Sequence, residues 1–249
     1  MARGKRTALV TGSGQKIGRG IAIRLAEAGF NIILNGSRNQ EPCEAVAEEV
    51  RAIGTDAIVA MGNVGVKEDA LGMVKAGIDE FGSIDALICN AAIRPHAPFL
   101  EVSEDDWQEV IDVNLNSCIW LARACIPGMI DKNWGRIVNF TGMNAQRGYP
   151  GASAVTVSKH GIWGLTKALA IEFGPNDITT NIISPGTFPG DDYDLAKDER
   201  RAKLAEANPM RRLGLTTEIG GMVAYLCSKD GGFVNGQMLQ VNGGVVVQF

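Results

Sequence analysis

Short apolar runs rich in β-branched residues alternate, along the whole chain, with longer stretches of helical period. TALVTG, NIILNG, AIVAMGNV, IDALICNAA, GRIVNFTG, TTNIISPG and MLQVNG read as strands. Their apolar residues are nearly continuous rather than alternating, the pattern of strands covered on both faces. The intervening segments carry helix ends: Pro42 stands near a start and Gly54 just past a stop. Ser103 and Asp106 have capping-box spacing, and Trp107, Val110 and Ile111 begin an apolar face. Strand–helix alternation requires right-handed crossovers. The pattern therefore predicts an α/β, Rossmann-type, doubly wound and mostly parallel seven-stranded sheet with helices on both faces, residues 1–249 forming a single domain. One segment breaks the rhythm, a polar insertion at about 187–212 with alternating charge. It reads either as a solvated helix pair or as a lid, because it follows a strand end where open α/β sheets bind ligands.

Composition narrows the partners. A chain of 249 residues suits one substantial core, and a formal net charge of -4 with no basic block argues against nucleic acid or anionic membrane. Two histidines leave little room for a zinc site, so no metal is expected. The five cysteines (Cys43, Cys89, Cys118, Cys125, Cys227) show no C-x-x-C pair, and three sit in apolar runs, which suggests buried reduced thiols and a cytoplasmic protein. The apolar run Ala8 to Val10 is far too short for a signal peptide, and no stretch of about 18 apolar residues exists to span a membrane. A small-molecule substrate is the expected partner.

The first strand runs into glycines 12, 14, 18 and 20 ahead of the first helix. Glycines there permit a tight turn and let backbone N–H groups approach a pyrophosphate at the helix N-terminus. The G-x-G-x-x-G spelling is not met, since Ile17 falls at its last position counted from Gly12. After strand two, Leu34-Asn35-Gly36-Ser37-Arg38 lacks the carboxylate that usually holds an NAD ribose. Arg38, with Lys16, suits a 2′-phosphate, which favours NADP(H) over NAD(H). The alternative is that both cations lie in solvent.

Taken together, these residues resemble the short-chain dehydrogenase/reductase family from the first strand to the C-terminus. The family turn T-G-x-x-x-G-x-G is met by Thr11, Gly12 and Gly18, with Lys16 where its middle glycine is expected. N-N-A-G corresponds to Cys89-Asn90-Ala91-Ala92, the structural asparagine to Asn114, and the proline–glycine turn to Pro185-Gly186. The closing pattern is Gly236, Leu239, Val241, Gly243 and Gly244. The resemblance implies a cofactor site formed by Gly12, Ser13, Gly14, Lys16, Ile17, Gly18, Arg38, Asn63, Val64, Asn90, Ala91, Lys159, Pro185, Gly186 and Phe188. Within it, Asn63 and Val64 lie at the adenine, while Phe188 and Gly190 replace an aliphatic residue and a threonine near the carboxamide. It also implies a homodimer or homotetramer, built through helices near 104–130 and 153–173 and the last strand.

The resemblance further implies a catalytic tyrosine four residues before Lys159 and a serine thirteen before that tyrosine. Those positions hold Val155 and Gly142. Valine has no titratable proton and glycine no side-chain donor, while Asn114 and Lys159 remain. Lys159 either grips ribose or substrate, or is a solvated helix lysine. Tyr149 and His96 are the best replacement proton donors, on loops at the cleft; Thr141, Asn144 and His160 are weaker candidates. Three functions stay open: an NAD(P)(H)-dependent oxidoreductase of a small carbonyl or alcohol with unusual acid–base residues, a non-redox enzyme (lyase, dehydratase or isomerase) on the same fold, or an inactive dinucleotide-binding protein.

Overall fold

The computed structural model describes residues 5–190, 194 and 196–247. Residues 1–4 of the basic N-terminus, 191–193 and 195 of the polar insertion, and 248–249 of the apolar C-terminal stretch lie outside the described residues.

The apolar runs become β1 (Thr7–Val10), β2 (Asn31–Leu34), β3 (Ala57–Val59), β4 (Ala86–Cys89), β5 (Gly135–Phe140), β6 (Ile178–Pro185) and β7 (Met238–Val241). They form one seven-stranded sheet in the order β3-β2-β1-β4-β5-β6-β7, each neighbouring pair parallel. The third run is shorter as a strand than AIVAMGNV suggests, although the Ala60 and Gly62 N–H groups still reach the Leu34 and Gly36 carbonyls at 2.8 and 2.9 Å.

Because side chains alternate across a strand, each buried strand feeds two cores. Ala8, Val10, Ile32, Leu34 and Ile88 face α1 (Lys16–Glu27), α2 (Glu41–Ile53) and α9 (Thr216–Leu226). Leu9, Ile33, Leu87 and Ile182 face α3 (Lys67–Phe81), α5 (Ser117–Lys132) and α7 (Ser153–Phe173). Full coverage of both faces is what made these runs continuously apolar. None of the helices among the described residues is long and apolar enough to cross a membrane.

Helix ends follow the chemistry of their residues. Pro42 lies in the first turn of α2, and Gly54 ends it at φ 101°. α4 (Glu104–Ile111) starts at Ser103, whose hydroxyl accepts the Asp106 N–H at 3.1 Å. The return arm of the capping box differs from expectation: the Asp106 carboxylate accepts the Ser103 hydroxyl rather than its backbone N–H. α4 runs into α5 through a π-helical turn, Asp112–Asn116, so the expected long helix is one continuous but locally widened rod. A short helix, α6 (Met143–Arg147), precedes α7, and the described part of the polar insertion holds one helix, α8 (Glu199–Ala207), capped by Asp198.

Helices α1 and α9 approach closely enough for their backbones to touch. A Cβ on Gly20 would stand 2.5 Å from the Thr216 carbonyl oxygen, and one on Gly220 would collide with the Gly20 carbonyl. Neither helix can retreat without unpacking Ile21, Leu25, Ile219 and Val223 from the sheet. Gly20→Ala should therefore lower the unfolding free energy by about 1–3 kcal/mol, the usual cost of overpacking. Urea denaturation checks this, and an unchanged midpoint would refute the close crossing.

Candidate functional site

The sheet order reverses direction between β1 and β4, which opens a crevice at the carboxyl ends of those strands. Its floor is a set of short, buried hydrogen bonds. The Thr11 hydroxyl accepts the N–H groups of Asn90 and Ala91 at 3.0 Å each and donates to the Ile88 carbonyl at 3.2 Å. The Asn90 amide donates to the Thr11 and Gly12 carbonyls at 2.9 and 3.0 Å. Gly12 turns the chain at φ 62°, a left-handed conformation suited to glycine. Gly18 is required for another reason: any Cβ there would overlap the Gly12 carbonyl oxygen and stand 2.7 Å from Ser13 Cα.

The first turn of α1 has neither a side-chain cap nor a carboxylate. Its N–H groups and the positive end of the helix dipole thus face the crevice, in the arrangement that receives an anion. Lys16 begins this helix at φ 49°, so a lysine holds a left-handed conformation at a cost of about 1 kcal/mol. Its stem crosses to the loop after β6, with Cγ 3.3 Å from where a Gly190 Cβ would be. Lys16 thereby roofs the turn instead of filling it.

Along the far side, Ser13 is fully buried, exchanging bonds with the Asn35 backbone at 2.9 and 3.4 Å. Gly14 sits against Cys43 and Pro42 of α2. Arg38 is exposed beyond the end of β2. Asn63 uses its side-chain oxygen to accept the Gly65 N–H at 3.0 Å, which shapes the loop that buries Val64.

On the opposite side, the π-turn carries Asn114, wholly buried. Its side-chain oxygen accepts the Ile93 N–H at 2.9 Å, and its amide donates to the Ile93 carbonyl at 3.0 Å and to Ser158 Oγ at 3.3 Å. Ser158 in turn donates to the Val155 carbonyl. Asn114 therefore locks the loop after β4 to α7, which makes it a positioning residue.

Lys159 is not a solvated helix lysine: it is 3% exposed, and its ammonium donates to the Phe140 carbonyl at 2.8 Å. Burial pushes its pKa down from 10.5 to about 8. Val155, one turn earlier, packs with Val110, Ala152 and Ala154. At Gly142 a Cβ would meet nothing within 4 Å, so that position opens onto space. Tyr149 packs against the Val155 cluster, and its ring centroid lies 6.5 Å from that of His96, which covers Gly151. The structure thus brings those two candidates together at the mouth, whereas exposed His160 turns back to the Thr156 carbonyl. Pro185 is buried; Gly186 lies so close to Asn242 that a Cβ would stand 2.7 Å from its Cα. Phe188 packs over Gly214.

Comparison with known proteins is consistent along the chain. A family model described as enoyl-(acyl carrier protein) reductase matches residues 12–246. The chain is 35% identical over 240 residues to 3-oxoacyl-[acyl-carrier-protein] reductase FabG of Staphylococcus aureus, covering 96% of this chain and 98% of that one. It is also 35% identical over 241 residues to acetoacetyl-CoA reductase of Cupriavidus necator, covering 97% and 98%.

The chain belongs to the short-chain dehydrogenase/reductase family.

Its fold superposes with a TM-score of 0.88 on the crystal structure of a Sinorhizobium meliloti protein provisionally assigned as a short-chain alcohol dehydrogenase, at 32% identity over 96% of this chain and 95% of that one. It is therefore an enzyme of the NAD(P)(H)-dependent oxidoreductase type. The residues present fit a dinucleotide: Gly18 lets the start of α1 press against the Gly12 carbonyl and Ser13, and the uncapped first turn of that helix, with no carboxylate in it, leaves its N–H groups for an anion.

Two contributors to this short-chain dehydrogenase/reductase site escaped the reading of the sequence. Asn35 accepts the Gly12 N–H at 3.2 Å while its amide reaches the Ala60 and Gly62 carbonyls at 3.1 Å each, tying three strand ends together. Its one visible signal was a polar residue at the end of an apolar run. Gln146, on α6, pairs with Gln240 through both amide atoms and donates to Ser184 Oγ. Glutamines so far apart in the chain give no local sign of their partnership.

The buried ammonium sets a pH dependence. Between about 8 and 10.5 the unfolded chain binds the Lys159 proton and the folded chain does not. Stability should therefore rise with pH across that window, the full penalty applying below 8. Lys159→Met should raise the unfolding free energy at pH 7 by up to about 3 kcal/mol and flatten the rise. Urea titrations at pH 7 and pH 10 measure both, and a variant less stable at pH 7 would contradict the assignment.

Proposed function

We propose that this enzyme transfers a hydride between NADP(H) and a small carbonyl or alcohol, using acid–base groups other than the serine and tyrosine usual in its family. The observation that carries this reading is that the uncapped start of α1 and the buried lysine both stand at the carboxyl-end edge of one run of neighbouring strands, β1-β4-β5, the lysine held by the last residue of β5. The whole chain, 1–249, serves as one dinucleotide-binding unit. The reduced nicotinamide supplies the hydride when bound. Gly12, Ser13, Gly14, Lys16, Ile17 and Gly18 hold the pyrophosphate, Asn63 and Val64 the adenine, and Asn90, Ala91, Pro185, Gly186 and Phe188 the nicotinamide half. Lys159 holds the ribose, and Asn114 keeps the walls of the cleft in register. Two relatives are named as reductases of a 3-oxoacyl-[acyl-carrier-protein] and of acetoacetyl-CoA, which supports carbonyl reduction here.

Preference for NADP(H) rests on the end of β2. Asn35 has its side chain committed inward, so no carboxylate repels a 2′-phosphate, and Arg38 is exposed beside that place. The polar insertion at 187–212 acts as a lid: α8 packs only lightly on the rest and buries little besides Ala205. A cavity of about 290 Å³ lies between the two ends of this segment and β7, lined in part by Phe188, Met210, Leu213 and Gln240. Edge strand β7 and the exposed apolar side chains of Ile171 and Phe233 favour a homodimer or homotetramer. Five buried free thiols among the described residues suit the cytoplasm.

Fluorescence titration should give NADPH at least about tenfold tighter binding than NADH, and Arg38→Asp should reverse that order. Equal affinities untouched by the substitution would remove the preference, and binding with no hydride transfer across a carbonyl panel would remove the reductase reading. Tyr149 and His96 contact the substrate at the mouth. Tyr149→Phe should accordingly raise KM severalfold while kcat stays within about threefold. A fall of about a hundredfold in kcat would make that phenol the acid.

A further inference from the structure

An ammonium carries three N–H donors. One of those on Lys159 goes to the Phe140 carbonyl, and no carboxylate pairs with it among the described residues, although the residue is almost wholly buried. One turn before it, Val155 offers hydrocarbon packed by Val110, Ala152 and Ala154. Two residues beyond Phe140, the space in front of Gly142 is open. The neighbouring polar groups are occupied: the Asn114 amide serves Ile93 and Ser158, and the Ser158 hydroxyl serves Val155. A buried, unpaired cation is expensive to keep, and such groups are concentrated where chemistry needs them.

We propose that the Lys159 ammonium is itself the proton donor to the substrate oxygen, in place of a tyrosine phenol, with that oxygen seated in the open space at Gly142. This rests on the reductase reading and deepens it. With the hydride supplied as described above, the C=O π pair moves onto oxygen. An N–H bond of Lys159 breaks, its electron pair stays on Nζ, and the O–H bond of the alcohol forms. The neutral amine then regains a proton from water, and alcohol oxidation runs the same step in reverse with the amine as base. Desolvation holds Lys159 near 8, where proton release is far easier than from a solvated lysine. Of the groups facing it, Cys118 on α5 and Cys89 on β4 favour the charged form, and Arg94 in the loop after β4 opposes it.

The test combines a direct titration with kinetics. In protein labelled with ε-¹³C lysine, the Lys159 signal, assigned by its loss in Lys159→Arg, should titrate with a midpoint near 8, and kcat for reduction should fall above that same pH. Lys159→Arg keeps a cation that does not release its proton. Measured at saturating dinucleotide, it should lose at least about a hundredfold in kcat. A midpoint at pH 10 or above, or a kcat close to wild type in Lys159→Arg, overturns the proposal. If the arginine variant does not fold, Lys159→Met assigns the signal, and a pH profile flat through 8 overturns the proposal alone. Wild-type protein that binds dinucleotide but reduces nothing overturns the reductase reading and this proposal together, whereas an active enzyme with an ordinary lysine midpoint overturns only the latter.

Discussion

Where β1 and β4 part, the Thr11 hydroxyl takes two backbone N–H groups from one strand end and returns its own proton to the same strand. Each such bond contributes only about 1 kcal/mol net, but a buried N–H left without its acceptor costs 1–3 kcal/mol or so. The clasp is therefore asymmetric in its energetics, cheap to keep and costly to lose. Gly12, Asn90 and Ala91 owe their positions to it, and through Asn35 the same rigidity reaches the ends of β2 and β3. A crevice floor built this way is set before any ligand arrives, which is what an anion cradle needs to bind without reordering its own backbone.

The parts of this architecture legible in the sequence are those whose causes are local. Runs such as NIILNG and GRIVNFTG announce buried parallel strands because both faces must be apolar, and Pro42 and Gly54 bracket a helix through their own backbone preferences. The glycine turn is readable for the same reason. The π-turn at Asp112–Asn116 is not, because its widening answers a need of the tertiary structure: to aim Asn114 at Ile93 across a gap no helical periodicity describes. The burial of Lys159 is likewise invisible locally, since charged residues on a helix ordinarily face water, and the acceptor of this one, the Phe140 carbonyl, lies nineteen residues away in the chain. Lys16 reads as a misfit in a glycine position, yet the chain keeps the left-handed turn and sends the side chain outward.

Val155 and Lys159 illustrate how one substitution alters the meaning of another position. They lie four residues apart, one above the other on α7. A polar ring at Val155 would hydrate or hydrogen-bond the space beside the ammonium; a valine packed by alanines dries it. The ammonium is left with the Phe140 carbonyl as its hydrogen-bond acceptor, and burial, with Arg94 opposing the charge, lowers its affinity for a proton.

The glycine-to-backbone crossing of α1 and α9 has a consequence for the birth of the protein. Residues 16–27 leave the ribosome well before residues 216–226, which complete the surface that α1 packs against. At the usual 5–20 residues per second, roughly 10–40 s of synthesis separate the two. During that interval the apolar side of α1, with Ile21 and Leu25, lacks one of its native partners. The contact that seats α1 against α9 is thus also the one that makes the nascent chain wait, exposed, for a distant segment of itself.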